Sequence, residues 1–377
     1  MPYIDRNISD SILTVVKYYS TIIITGPRQS GKTTLARHLF PNYTFVNIED
    51  ISTRNMAKDD PTGFLDGLGP CAIIDEIQNL PELLSSIQAR VDKDKSLRYI
   101  LTGSNNFSLL HNAMQSLAGR AALFTVLPFS FKELSRSCLD VSTSELMWRG
   151  FYPGTISDLI PPDIFYRNYY STYIERDIRA LGQVQHLDKF QLFMRLCAAR
   201  VGSEINFASL SVEAGVTAPT ISAWISLLKA SYIVYSLPPY FVNISKRLTK
   251  TPKLYFYDAG LLCYLLGIEQ ASQLDTHPLR GAIFENIAVT EMIKNRYNIA
   301  KEPNIYFYRE NSGREVDIVE ETPDGLNIYE VKAGATFQPD FTKNLKYLGK
   351  ILPNVRTSTV IYNGETQGKN LLNIRDI

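Results

Sequence analysis

The sequence predicts an α/β protein: a parallel sheet covered by helices in its first 135 residues, and a second α/β unit at the other end of the 377-residue chain. Three observations carry this. Five short apolar, β-branched runs at 21–25, 43–48, 71–75, 97–102 and 122–127 alternate with stretches of helical spacing, the pattern of buried parallel strands. The first run, "TIIIT", passes through a glycine turn directly into "KTTLARHLF", giving strand, loop, helix. In the last hundred residues a helix over 281–296 precedes the strands "NIYFYRE", "EVDIVEE" and "LNIYEVKA".

Between these ends the chain reads as helical. After Pro128 come aromatic-rich helices interrupted by "RGFYPG" and the Pro161-Pro162 pair, a small helical domain over 136–188. In the run 166–173, "YRNYYSTY", aromatics at i, i+3 and i+4 cover a packing face. Residues 189–253 read as helix, helix, tight turn, helix, then the β-rich "SYIVYSL", a helix-turn-helix inside a winged-helix unit. Residues 254–377 are the second α/β unit.

Composition bounds the function. With 39 basic and 38 acidic residues the net charge is +1, which excludes a uniformly basic nucleic-acid coat protein. A chain that is 45% hydrophobic and 20% charged has material for packed cores and is not disordered. The start lacks the basic and apolar regions of a signal peptide, and no run is long enough to cross a membrane, so a soluble, cytoplasmic protein is expected. Cys71, Cys138, Cys197 and Cys263 are scattered, and His38, His111, His186 and His277 are isolated, so neither a zinc site, a disulfide framework nor a nucleophilic triad is indicated.

The segment "GPRQSGKT", Gly26, Pro27, Arg28, Gln29, Ser30, Gly31, Lys32 and Thr33, matches the phosphate-binding P-loop pattern and is followed by Thr34. Glycines let backbone N–H groups close around phosphates at a helix N-terminus, Lys32 neutralises the β- and γ-phosphates, and the Thr33 hydroxyl is placed to ligate Mg²⁺. The run "CAIIDEIQ" ends a strand in Asp75 and Glu76, at the sheet edge where the P-loop also lies; Asp75 would hold Mg²⁺ and Glu76 polarise water. Asn105, with Ser104 as the alternative, is expected to orient that water from the tip of the next strand. Arg120 in "LAGRAALF" stands before the fifth run, where it could face a neighbouring copy's nucleotide as an arginine finger.

Together, the P-loop at 26–33, the acidic strand end at 71–76, "LTGSNN", "LAGR", "PFSFKEL" and "GREVD…EVKAG" resemble prokaryotic AAA+ ATPases that carry a C-terminal domain of uncharacterised function. The resemblance covers nearly the whole chain. It implies an ATPase core over 1–135 using ATP and Mg²⁺, a helical lid over 136–188, a winged-helix segment, and an end similar to the restriction-endonuclease-like fold. The second sensor position, usually a small residue, is Asn105 here, and the resemblance does not place a nucleotide-sensing arginine in the lid.

The C-terminal unit offers a second set of candidates. Asp317 in "GREVDIV" and Glu330-x-Lys332 in "IYEVKAG" lie on consecutive strands, after a helix carrying Glu285, which resembles the PD-(D/E)xK nuclease arrangement. There, two carboxylates hold a second divalent metal while a lysine, two residues on along the same face, positions water. A bare Glu-x-Lys is expected about once by chance in such a chain, so the Asp-bearing strand and the helix carry the signal. Three readings stay open: an active nuclease, a DNA- or protein-binding remnant, and a salt-bridged surface hairpin.

In the helix-turn-helix, Ile221, Trp224, Ile225 and Leu228 form a core face, while Thr217, Thr220 and Ser222 turn outward. Its shape suits a groove reader, but residues 190–240 hold only Arg195, Arg200 and Lys229 as cations. The following "KRLTKTPK" adds Lys246, Arg247, Lys250 and Lys253 as a candidate DNA-contacting wing. The leading expectation is a Mg²⁺-dependent ATPase that drives a C-terminal module, with DNA as its target. The alternative is a slow nucleotide switch whose C-terminal half binds a protein partner. Monomer, dimer and ring are all compatible with such a site.

Overall fold

The computed structural model describes residues 3–104, 117–136, 141–174, 187–310, 312–365, 368 and 370–377. Asn105, His111, Cys138 and His186 lie outside the described residues.

Helix α1 (Ser9–Val15) leads into β1 (Thr21–Thr25), and the P-loop then opens α2 (Lys32–Leu39). There follow β2 (Thr44–Asn47), α3 (Ile51–Asp59), α4 (Pro61–Gly67), β3 (Cys71–Asp75), α5 (Leu83–Lys93), β4 (Arg98–Thr102) and β5 (Ala121–Thr125). All pairings are parallel and the strand order is β2-β3-β4-β1-β5, so β4 separates the P-loop strand from the Asp75 strand. β1 is an interior strand, buried along its whole length. Its period of two sends Ile22 and Ile24 to a cluster with Ile8, Ile12 and Leu35, and Ile23 to a cluster with Ile74, Leu84 and Leu101 on the other face. Helices on both faces therefore cover the sheet, and the loops at its carboxyl edge are where a site can be built.

A capping box, in which Ser130 and Glu133 exchange hydrogen bonds, starts the short α6 (Phe131–Leu134). α7 (Thr143–Arg149), α8 (Pro153–Ile156) and α9 (Pro162–Tyr169) follow, the last continuing into a π-helical turn at Tyr170–Ile174. Tyr166 and Tyr169 are buried, and the Tyr166 hydroxyl donates to Asp258 Oδ1 at 2.7 Å. Tyr166, Tyr169 and Tyr170 of the aromatic run thus cover a packing face.

α10 (Leu187–Ala199), α11 (Phe207–Ala214) and α12 (Ala218–Ala230) form a three-helix unit, with Gly215 in the left-handed region ending α11 and Thr217 capping α12. Trp224 is core, edge-on to Phe190 at 5.2 Å. β6 (Val234–Leu237) and β7 (Lys253–Phe256) pair antiparallel, with the short α13 (Ile244–Thr249) between them.

The expected basic wing is not built from its four cations. Arg247 sits over the Tyr240 and Tyr306 rings and pairs with Glu321, its Nη1 2.6 Å from Oε2, while Lys253 is buried and pairs with Glu285 and Glu315. Only Lys246 and Lys250 of this group are exposed. The physical reason is that β7 and the stem of α13 pack against the C-terminal unit, so cations facing its carboxylates go inward.

α14 (Ala259–Leu265) and α15 (Arg280–Asn298) lead to β8 (Ile305–Arg309), β9 (Glu315–Thr322), β10 (Gly325–Lys332), α16 (Lys343–Leu348), β11 (Val355–Tyr362) and β12 (Leu371–Asn373). The sheet order is β12-β11-β10-β9-β8, antiparallel from β8 to β10 and parallel from β10 to β12. The largest apolar cluster runs through the molecule, joining Ile4, Leu127 and Phe131 to Ile287, Val331 and Ile374. No helix among the described residues is long and apolar enough to cross a membrane.

Candidate nucleotide site and C-terminal carboxylate cluster

The P-loop is shaped by backbone conformations that few side chains tolerate. Gly26 has φ 143°, and a Cβ there would lie 2.1 Å from the Val126 carbonyl oxygen, so only glycine fits. Gln29 and Gly31 also have positive φ, and no side chain caps the N-terminus of α2. Its first N–H groups are left for an anion. The Ser30 hydroxyl is buried with no hydrogen-bond partner, as expected where a polar ligand completes the loop.

Lys32 and Thr33 start α2, and Thr34 follows them. The Lys32 ammonium is buried and folds back on the loop, donating to the Pro27 carbonyl at 2.7 Å and the Gly26 carbonyl at 3.1 Å. Burial pushes its pKa down to about 8, with the carboxylates of Glu76 and Asp75 opposing the shift. The Thr33 hydroxyl donates to Asp75 Oδ1 at 2.7 Å, and Thr102 at the tip of β4 donates to the same oxygen. Burial raises the Asp75 pKa against those two hydrogen bonds. Glu76 stands in the left-handed region at φ 54°, an uncommon conformation for a residue with a side chain. Its carboxylate accepts from Gln78 Nε2 and, at 3.3 Å, from the Ser104 hydroxyl. Lys32, Thr33, Asp75 and Glu76 therefore share one sheet edge, with Ser104 beside Glu76. Thr102 and Gln78 escape sequence reasoning; Gln78 ends the quoted "DEIQ", but a lone glutamine has no chemistry that marks it.

In the C-terminal unit, Asp317 of β9 and Glu330 of β10 are brought together, with the Val331 N–H donating to Asp317 Oδ2 at 2.7 Å. Lys332 donates to Glu330 Oε1 at 2.7 Å, as period two predicts. Burial, then the carboxylates of Glu285 and Glu330, hold the Asp317 pKa far above the usual range. Burial also raises Glu330, more than Lys332 lowers it. Glu285 projects from α15 toward the same cluster but is engaged by Lys253, 3.3 Å away, and by the Tyr255 hydroxyl. Among the described residues, no three His, Cys, Asp or Glu side chains are arranged to hold a metal ion. A second divalent metal does not fit this arrangement.

Comparison with known families divides the chain in three. Residues 18–135 match the family described as AAA domain, residues 140–272 a domain of unknown function (DUF8612), and residues 280–374 another domain of unknown function (DUF4143). Residues 18–135, which hold the P-loop and the five-stranded parallel sheet, are thus similar to AAA-type P-loop ATPase domains. Uncharacterized proteins of Mycobacterium tuberculosis and Mycobacterium bovis are each 29% identical over 350 residues, 91% of this chain and 76% of theirs. Among solved structures, the Walker-type ATPase of Pyrococcus abyssi is similar with a TM-score of 0.46 and 16% identity, over 70% of this chain and 96% of that one. AMPPCP-bound DnaA from Aquifex aeolicus is similar with a TM-score of 0.31 and 13% identity, over 58% and 86%.

The AAA-type domain is tied to the rest of the molecule beside its P-loop. Arg6, buried, donates to the carbonyls of Ser30 and Leu127 and lies 3.2 Å from Glu133 Oε1. Phe131 N–H donates to Glu291 Oε2 at 2.8 Å, and Lys294 bridges Glu291 Oε1 at 2.7 Å to the Phe129 carbonyl at 2.8 Å. Thr25, the residue before Gly26, shares a 2.9 Å hydrogen bond with the Tyr232 hydroxyl from the loop between α12 and β6. Arg120 lies at the opposite, amino edge of the sheet, its carbonyl accepting from Thr21 N–H and its Nε 2.6 Å from Asp92 Oδ1. The length of β1, about 16 Å, separates it from its own P-loop.

Proposed function

We propose that the protein binds ATP with Mg²⁺ and hydrolyses it, and that its nucleotide state is passed to the C-terminal half. The observation that carries this is the convergence of Lys32, Thr33, Asp75 and Glu76 on one sheet edge beneath a loop only glycine can form. Lys32 and the loop N–H groups, from Gly26 through Thr34, would bind the phosphates. Thr33 and Asp75, already hydrogen-bonded to each other, would hold Mg²⁺. Bound there, Mg²⁺ neutralises charge developing on the transferred phosphoryl group. Glu76, on its strained backbone and held by Gln78 and Ser104, would turn and orient the attacking water. Asn105 is proposed as a further water-orienting group. Arg120 would act only on the nucleotide of a neighbouring copy, which makes a homo-oligomer part of this reading.

The exposed face of α12 favours a protein partner over DNA. Ala218, Pro219, Ser222 and Ser226 are exposed there with Lys229 as the lone cation, too little charge for phosphate attraction. The helix-turn-helix is accordingly proposed as a docking unit. The C-terminal unit is proposed to have the restriction-endonuclease-like architecture, used as a scaffold, because Glu285 is neutralised from within. The test is ATP hydrolysis by the wild type and Glu76→Gln, with Mg²⁺ and with or without duplex and single-stranded DNA. The expected result is turnover that DNA does not accelerate and that the variant lacks by at least a hundredfold while still binding ATP. Equal turnover in both proteins would overturn the assignment of Glu76.

A further inference from the structure

Tyr232 stands where helix α12 ends, at φ 56°, in the left-handed position that a closing helix usually gives to glycine. The turn is built as a helix stop: Tyr232 N–H donates to the Lys229 carbonyl at 3.1 Å and Ile233 N–H to the Leu228 carbonyl at 2.9 Å. A tyrosine in that region is strained backbone, and such strain persists where the surrounding structure over-determines it. What holds it lies in the first sheet. The side chain is 4% exposed, its ring is edge-on to Tyr257 with centroids 5.9 Å apart, and its hydroxyl is 2.9 Å from Thr25 Oγ1. Thr25 is fully buried and its hydroxyl donates to the Phe124 carbonyl at 3.4 Å, which leaves its oxygen to accept from Tyr232. Thr25 also ends β1. Its carbonyl accepts from Val126 N–H at 2.8 Å, and the Val126 carbonyl is the group that leaves room only for glycine at Gly26.

We infer that Tyr232 is a positioning residue of the nucleotide site: through Thr25 it fixes the end of β1 from which Gly26 enters the P-loop, and so couples the phosphate cradle to the end of α12. The inference rests on the ATP reading of that site, and adds the route by which nucleotide reaches the helix-turn-helix. The Tyr232 hydroxyl is taken by Thr25, so it acts through the strand end and not on phosphate or metal. Phosphates bound to the loop N–H groups hold Gly26 and Thr25 in place. The Tyr232 hydroxyl is then held as well, and the last amides of α12 open less often. Linkage makes the effect reciprocal, so a partner docked on α12 changes ATP affinity by the same factor as ATP changes the partner's.

The experiment is amide hydrogen exchange of the full chain, with and without Mg²⁺ and ATP. It uses Glu76→Gln, in which ATP is expected to stay intact, alone and combined with Tyr232→Phe, Thr25→Val or both. Calorimetry gives the ATP affinity of each protein and urea unfolding its stability. The expected result is that ATP protects residues 26–34 in every protein but slows exchange at 228–233 only where both hydroxyls remain. Affinity is expected to weaken about fivefold with either hydroxyl removed, the scale of one net hydrogen bond, and no further with both removed. A merely structural tyrosine lowers stability and leaves the ATP-dependent difference at 228–233 unchanged; that result, or unaltered affinity, would overturn the inference. So would bound ATP that never alters exchange at 228–233 in Glu76→Gln alone. Glu76→Gln that binds no ATP would overturn the nucleotide reading itself, and this inference with it. Should Tyr232→Phe not fold, Thr25→Val removes the same hydrogen bond from its other side.

Discussion

Lys32 shows how a single side chain records the state of the site. In the free chain it is buried among loop carbonyls with its pKa pushed down to about 8. Phosphates beside it stabilise the charged form and raise that pKa, so the complex holds more protons than the free chain around pH 8–9. ATP binding is therefore expected to take up protons there, and affinity to weaken as pH rises past about 8. Calorimetry at pH 8.5 in two buffers of different ionisation enthalpy checks this; affinity that stays constant from pH 7 to 9.5 would contradict it. At this scale the sequence was most legible where spacing itself is the chemistry. "GPRQSGKT" and "CAIIDEIQ" name their residues because a phosphate cradle tolerates few alternatives. Thr102 is no less close to Asp75, yet a threonine ending a strand is ordinary, so nothing marks it in advance.

The helical segment between the sheets depends at the element scale on Asp258. It caps α14 through Leu261 N–H at 3.0 Å, accepts from Phe151 N–H at 2.7 Å and binds the Tyr166 hydroxyl. All of these groups are buried, so Asp258→Ala strands donors and is expected to cost about 3 kcal/mol, with Asp258→Asn losing less because one acceptor oxygen remains. Urea unfolding of the three proteins measures it. Elements were legible to the extent that burial patterned them: the fully buried β1 and the almost fully buried β3 read directly. β11 did not, and with it β12, because the first half of "VRTSTVIY" is polar and largely exposed and only its last three residues are buried. The basic wing failed for a related reason, since a sequence records how many cations a segment has and not which side of it is packed.

For the whole molecule, the buried pair Glu291–Lys294 links α15 to the segment after β5, with both side chains at most 2% exposed. Removing one partner leaves an uncompensated buried charge, so Lys294→Met is expected to cost about 3–5 kcal/mol, and adding Glu291→Gln to recover much of it. A double-mutant cycle by denaturant unfolding gives the coupling. If the two changes simply add, the pair is not the fastening described here. The shared apolar cluster has a further consequence for how the chain is made. Ile4 and Ile374 belong to one core, and so do Leu127 and Val331. During synthesis the two sheets can form in turn, but their common interior also needs the intervening helices and α15 to be complete. Phe129 and Phe131, whose backbone groups meet Glu291 and Lys294 of α15, therefore lack these partners until that helix is made, and chaperone binding to stalled chains should stay high until residues 280–298 have emerged.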